Sequence, residues 1–143
     1  MKNSYVKDIR AFNRFYTDII GLLDKYILNS KYSLPEVRIL YELYHSDELT
    51  ASDIIASFQI DKGYLSRILQ HFEKKKLLSK KRSAEDGRAA HLGLTAAGRK
   101  EFEALNEASN QQINRILKDL GEDECIALTR HMSAIQTILS KNK

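Results

Sequence analysis

Residues 50–72 read TASDIIASFQIDKGYLSRILQHF and hold two helix starts in close succession. Thr50 and Asp53 have the spacing of a capping box, in which each side chain accepts from the other's backbone N–H. Ile54, Ile55 and Phe58 follow on the inner face of a short helix. Asp61 is a good N-cap for a second helix, and Ile60 and Leu65 are placed as a hydrophobic staple across it. Leu65, Ile68, Leu69 and Phe72 then repeat at the spacing of a buried helical stripe. With only about four residues between them, two such helices have no room to turn back antiparallel and bury both apolar faces. They must cross steeply, as in a helix-turn-helix.

The flanking sequence supplies what such a pair lacks. Upstream, SLPEVRILYELYHS over residues 33–46 sets Ser33 and Glu36 at capping-box spacing and puts Pro35 in the first turn, where a missing N–H costs nothing. Val37, Leu40, Tyr41 and Tyr44 line one face of that helix. Downstream, SKKRSAEDGRAAHLGLT over residues 79–95 carries two basic arms around the polar turn AEDG, whose Asp-Gly pair signals a hairpin. On its second arm Leu92 and Leu94 alternate with Gly93, as a half-buried strand should. A lone hairpin is marginal in water, so its leucine side must pack on the helices while its tip faces solvent or a ligand.

Both ends of the chain read as helix. Across residues 5–28, Val6, Ile9, Phe12, Phe15, Tyr16, Ile19, Ile20, Leu22, Leu23, Tyr26 and Ile27 recur at threes and fours, an arc wider than one core needs. From Thr95, a suitable N-cap, a helix is predicted to run to about Leu120 with Phe102, Leu105, Ile113, Ile116 and Leu117 apolar and Gly121 placed to end it. Glu122, Asp123 and Glu124 suit the next helix start, and Cys125, Leu128, Met132, Ile135 and Leu139 step like a coiled-coil seam. The predicted fold class is mainly α with a small β-hairpin wing. A winged helix-turn-helix over residues 33–95 is carried by terminal dimerisation helices, 1–32 and 96–143, in a single domain of 143 residues.

Charge locates the working surface. The net charge is +4, yet residues 1–49 and 95–143 are each neutral. The surplus lies in residues 74–94, where Lys74, Lys75, Lys76, Lys80, Lys81, Arg82 and Arg88 face only Glu85 and Asp86. A local patch of this kind is the footprint of a polyanion binder. No apolar run is long enough for a membrane span and no secretory leader is present, so the expected location is the cytoplasm, with no membrane partner. The single Cys, which has no partner for an intramolecular disulfide, fits a reducing compartment.

A helix starting near Asp61 is built to enter a major groove of double-stranded DNA. Lys62, Gly63, Tyr64, Ser66, Arg67, Gln70 and His71 lie outside its buried stripe. Arg67 and Gln70 have the geometry for bidentate base contacts, Lys62, Tyr64 and Ser66 suit phosphates or single base edges, and Gly63 lets the helix start approach closely. The hairpin would bring Arg88 to the neighbouring minor groove, with Lys80, Lys81 and Arg82 on backbone phosphates.

With LSRIL in the second helix and DGRAAHLGLTAAG at the hairpin, residues 34–98 resemble the MarR family of dimeric winged-helix transcription regulators, and the likeness extends over the terminal helices. The set Asp86, Arg88, Leu92, Leu94, Thr95 and Gly98 is its most specific part. The resemblance implies that Arg88 enters the minor groove and that Asp86 helps hold the wing. IRAFNRFYTDIIGLLD and GYLSRIL further resemble the regulator half of proteins that fuse a MarR-like domain to a GNAT acetyltransferase; a chain ending at Lys143 would be a stand-alone relative or a fragment of one. The function so implied is that of a homodimeric, sequence-specific transcriptional regulator, more often repressor than activator, on a pseudo-palindromic operator. The alternatives are a regulatory module of an acetyltransferase system and a winged-helix protein-interaction module.

In MarR-like dimers a cleft between arm and head takes small aromatic acids, so Tyr16, Tyr26, Tyr41 and Tyr44 either line a site for an aromatic effector or fill core and interface. Cys125 on an apolar seam reads as a packed thiol. His45, His71, His91 and His131 form no convincing ligand set, so neither a metal nor any other cofactor is expected, and no nucleophile, base and oxyanion-stabilising set points to an enzyme.

Overall fold

The computed structural model describes residues 2–22, 26–82 and 90–142. In chain order it contains α1 (Lys2–Ile19), α2 (Leu34–His45), α3 (Ala51–Phe58), α4 (Lys62–Lys74), β1 (Leu78–Arg82), β2 (Ala90–Leu94), α5 (Ala96–Leu117) and α6 (Glu122–Leu139), closed by a 3-10 turn at Ser140–Asn142. The chain divides into two compact units, residues 1–109 and 110–143.

In the first unit the helix starts are those of the sequence. Ser33 N–H donates to Glu36 Oε1 at 2.9 Å and Glu36 N–H to Ser33 Oγ at 3.4 Å. Thr50 and Asp53 make the same reciprocal pair at 2.9 and 3.2 Å, and Tyr64 N–H donates to the Asp61 carboxylate at 2.9 Å. Between α3 and α4 the chain reverses through Gln59, whose φ of 52° is left-handed and whose N–H closes on Ile55 O. The tight turn lets both helices bury apolar residues in one core. Ile54 of α3, Leu65, Ile68, Leu69 and Phe72 of α4, and Phe102 and Leu105 of α5 surround Ile39, Leu40 and Leu43 of α2.

β1 and β2 pair antiparallel with Leu78 opposite Leu94, Lys80 opposite Leu92 and Arg82 opposite Ala90. Leu78 and Leu92 close the core from below the helices. Leu92 N–H also donates to Leu49 O at 2.7 Å, so the residue ahead of the α3 N-cap adds a single rung to the hairpin. The hairpin's other anchor is the α4–β1 corner. There Lys76 takes a left-handed φ of 62°, and Leu77 N–H bonds back to Phe72 O and Lys76 N–H to Glu73 O, a Schellman closure. Thr95 ties the corner to α5. Its hydroxyl donates to Lys76 O at 2.7 Å and accepts from Gly98 N–H at 3.1 Å, and its N–H donates to Leu77 O. Gly98 lies so close that a Cβ there would collide with the Leu77 carbonyl oxygen.

Three expectations are corrected. The first helix stops at Ile19 rather than continuing to residue 28, because Gly21 turns left-handed (φ 68°), with Leu22 N–H bonding to Thr17 O and Gly21 N–H to Asp18 O. Past the stop Ile27 is buried on its own account, its N–H donating to Tyr32 O at 2.9 Å. The inner face of α2 is Ile39, Leu40 and Leu43; Val37 and Tyr44 pack at the rim and Tyr41 is 48% exposed. Aromatic rings satisfy a helical period as well as aliphatic chains do, so the period alone does not say which of them is buried. Gly121 starts α6 rather than ending α5, which finishes at Leu117. Its φ is −74° and its N–H donates to Glu124 Oε2 at 3.0 Å.

In the second unit Cys125, Leu128 and Met132 of α6 are partly covered, while Ile126, Ile135, Ile138 and Leu139 remain exposed. In the first unit α1 buries nothing, and Tyr5, Val6, Ile9, Phe12, Phe15 and Ile19 all face outward.

Candidate nucleic-acid interface

With Leu65, Ile68, Leu69 and Phe72 inward, the exposed arc of α4 divides by helical geometry into two flanks. Lys62, Ser66 and Gln70, four apart, look toward the hairpin. There, with Thr50 and Ser52 at the start of α3 and Lys80 of β1, they line a groove of about 390 Å³ floored by Leu65, Leu69 and Leu92. Tyr64, Arg67 and His71 form the other flank, which is exposed. Tyr64 borders a second, apolar cleft of about 290 Å³ with Leu34, Pro35, Arg38, Phe58 and Ile60.

The sequence-predicted residues are therefore separated as well as gathered. Lys62, Ser66, Gln70 and Lys80 share one groove, and Tyr64 and Arg67 lie together across the helix, the guanidinium 5.9 Å from the ring centroid. Gly63 is exposed between the two flanks, and Lys81 and Arg82 are exposed on β1. Asp86 and Arg88, with the AEDG turn, lie outside the described residues.

Two features modify the cationic surface. Lys80 Nζ stands 3.2 Å from Glu73 Oε2, so β1 is tied to the last turn of α4 by an ion pair at the groove's edge. Lys75 turns away to lie 5.8 Å over the Tyr32 ring, which Lys31 approaches at the same distance. Tyr32 is buried and donates its hydroxyl to Glu101 at 3.2 Å. Burial, then the Glu101 charge and hydrogen bond, push its pKa up to about 12. The hydrogen bonds from Thr50 hold the Asp53 carboxyl below the usual range. His91 is half-buried with Nδ1 3.1 Å from Glu48 O.

Sequence reasoning overlooked Arg38, whose guanidinium lies 5.1 Å over the Phe58 ring at the second cleft. A lone Arg inside an amphipathic helix carries no signal of its own.

Of the four tyrosines considered for an effector, Tyr41 and Tyr44 gather with His45 around Phe102, at ring separations of 5.9 and 4.4 Å from it. The Tyr44 hydroxyl donates to Glu103, and Arg99 lies 5.0 Å over its ring. Tyr16 stacks on Phe12 at 5.6 Å, and Tyr26 lies in the connection after α1. Among the described residues no group of three potential ligands could hold a metal, and no helix is long and apolar enough to cross a membrane.

Two helices joined by a tight turn, a hairpin packed against the second of them and a long helix next in the chain make an architecture with known counterparts. Residues 31–89 match the model of the MarR family. The structure of Streptococcus pneumoniae FabT in complex with DNA superimposes with a TM-score of 0.79, covering 97% of this chain and 99% of that one at 18% identity. The fold is that of a MarR-type winged helix. Wild-type MarR from E. coli in its apo form gives a TM-score of 0.73 over 88% of this chain and 94% of its own at 19% identity. The S. aureus MepR–DNA complex gives 0.68 over 90% and 95% at 23% identity. In sequence, an uncharacterized HTH-type transcriptional regulator of Bacillus subtilis, YdgJ, is 29% identical over 92 residues, 64% of this chain. That match spans 56% of the relative's length. In a MarR-type frame α3 and α4 are the helix-turn-helix and β1–β2 the wing.

Proposed function

We propose that the chain is a cytoplasmic, sequence-specific regulator of transcription that binds double-stranded DNA as a homodimer on a pseudo-palindromic operator, acting as a repressor. The observation that carries this reading is the α4–hairpin groove. It brings Lys62, Ser66, Gln70 and Lys80, from two elements, to one concave surface beside the exposed flank of a helix-turn-helix second helix. A groove between such a helix and a wing suits a phosphodiester strand, with Gln70 and Arg67 toward base edges, His71 as a further donor, and Lys81 and Arg82 on phosphates. Arg88 reaching a minor groove, with Asp86 steadying the wing, completes the contact. FabT and MepR, whose folds this chain shares, have been solved with DNA.

Two further observations support the finer parts. The apolar faces of α1 and α6 are exposed in the single chain, which suits a second copy and hence a two-fold symmetric operator. The Tyr41–Tyr44–Phe102 cluster offers aromatic faces for a small aromatic effector whose binding would alter the spacing of the two reading heads. The likeness to the regulator half of acetyltransferase fusions fits the same reading, since such a half would use this surface.

The test is selection from random duplexes with the purified chain, followed by binding at several salt concentrations. The expected product is an inverted repeat with half-sites about one helical turn apart and an affinity that falls steeply with salt. Arg88→Ala should lower the salt slope by about one unit. Failure to enrich any duplex at low salt would overturn the reading.

A further inference from the structure

The two aromatic–guanidinium pairs at the second cleft raise the question of what holds Arg67. An exposed Arg samples many rotamers, and fixing it on a base edge costs side-chain entropy. In this structure the guanidinium is not adrift. Arg67 lies one helical turn beyond Tyr64 on the same flank of α4, 5.9 Å from its ring centroid. The ring lines the cleft with Leu34, Phe58 and Ile60, and the Tyr64 backbone N–H is held by the Asp61 cap at 2.9 Å. Gly63 lies between the Asp61 cap and this pair in the chain. A Cβ at that position would stand 3.2 Å from Asp61 Oδ2 and 3.9 Å from Arg67 Nη1.

We infer that Tyr64 is a positioning residue, whose ring face pre-orients Arg67 for bidentate recognition of a guanine, rather than a phosphate ligand through its hydroxyl. The chain of support runs from the Asp61 cap to the Tyr64 backbone, from the ring to the guanidinium, and from there to the O6 and N7 acceptors of the base. Guanidinium planes stack on aromatic faces while keeping their in-plane N–H donors free, so the same contact that restrains Arg67 leaves its reading edge exposed. This inference rests on the DNA-binding reading above.

The experiment uses the full chain in four forms: wild type, Arg67→Ala, Tyr64→Phe and Tyr64→Leu. In duplex selection, Arg67→Ala should erase one guanine preference per half-site. Tyr64→Leu should weaken that same preference about two- to fivefold without changing the salt slope. Tyr64→Phe, which keeps the ring and loses the hydroxyl, should retain it. Loss in Tyr64→Phe equal to that in Tyr64→Leu, or full retention in Tyr64→Leu, overturns the inference. If Arg67→Ala leaves the profile unchanged, the base-reading role of Arg67 falls first and the inference with it. A DNA-free measurement separates the two cases and does not depend on the leucine variant folding. In the NMR spectrum of wild type and Tyr64→Phe the Arg67 δ-protons should be shifted upfield by the ring; δ-protons at their unstructured position in wild type overturn the inference outright.

Discussion

Helices α4 and α1 carry equally regular apolar stripes and meet opposite fates. Leu65, Ile68, Leu69 and Phe72 of α4 are buried, Phe72 completely, whereas on α1 Ile9 is 59% and Phe15 61% exposed. Periodicity therefore says that a face needs covering and nothing about what covers it. For α4 the cover is local, supplied by α2, the hairpin and α5, and the opposite face is left polar and free to read a ligand. For α1 no residue is buried within the chain, and the cover assigned under the proposed function is a second copy.

The sharpest way to break this contrast is to empty both stripes. Phe72→Ala should cost about 3–5 kcal/mol in denaturant unfolding, while Phe12→Ala should change unfolding of the monomeric chain by under about 0.5 kcal/mol. Equal effects would mean that α1 is packed in the free chain. Placing charge on the outer stripe with Ile9→Glu and Phe12→Glu together should remove about 2 kcal/mol or more of association and yield monomers in sedimentation, with the helical content of the head retained. Gly98→Ala probes the hairpin's anchor. It should cost about 1–3 kcal/mol, since the α4–β1 corner must move for a methyl group to fit against Leu77.

Smaller effects sharpen the contrast by pH. Tyr32 is raised on folding, so its contribution is complete below the ordinary tyrosine range and is lost as pH climbs toward about 12. In ultraviolet titration the Tyr32 phenol should ionise late, and the melting temperature should fall over the same interval. Tyr32→Phe should abolish both signals and cost about 1 kcal/mol at neutral pH. The smallest change is expected on the acid side. Asp53 is lowered on folding, so its contribution is present above the ordinary aspartate range and lost as pH falls through the folded value; Asp53→Asn should flatten that part of the stability profile.

Local chemistry was the legible part. Ser33, Thr50 and Asp61 cap where their side-chain oxygens and three-residue spacing require, and the stripe of α4 and the pairing of the hairpin follow from periods that a chain cannot disguise. Errors fell where two local signals competed. At Gly21 an unbroken apolar period concealed a left-handed stop, and at Gly121 one glycine served equally as a helix end or a helix start. The candidate surface was legible as a residue set and illegible as a shape, because the division of α4 into a groove flank and an aromatic flank depends on where the hairpin packs.

What the sequence by itself determined is the helix-turn-helix, the wing and the concentration of positive charge beside them, since capping, turn chemistry and periodicity act over a few residues. Only the tertiary structure decided that Leu49 joins the hairpin, that Gly98 must admit the Leu77 carbonyl and that Lys80 is held by Glu73. All three join residues from different elements. Such contacts exist only once the elements have packed, and no local spacing encodes them.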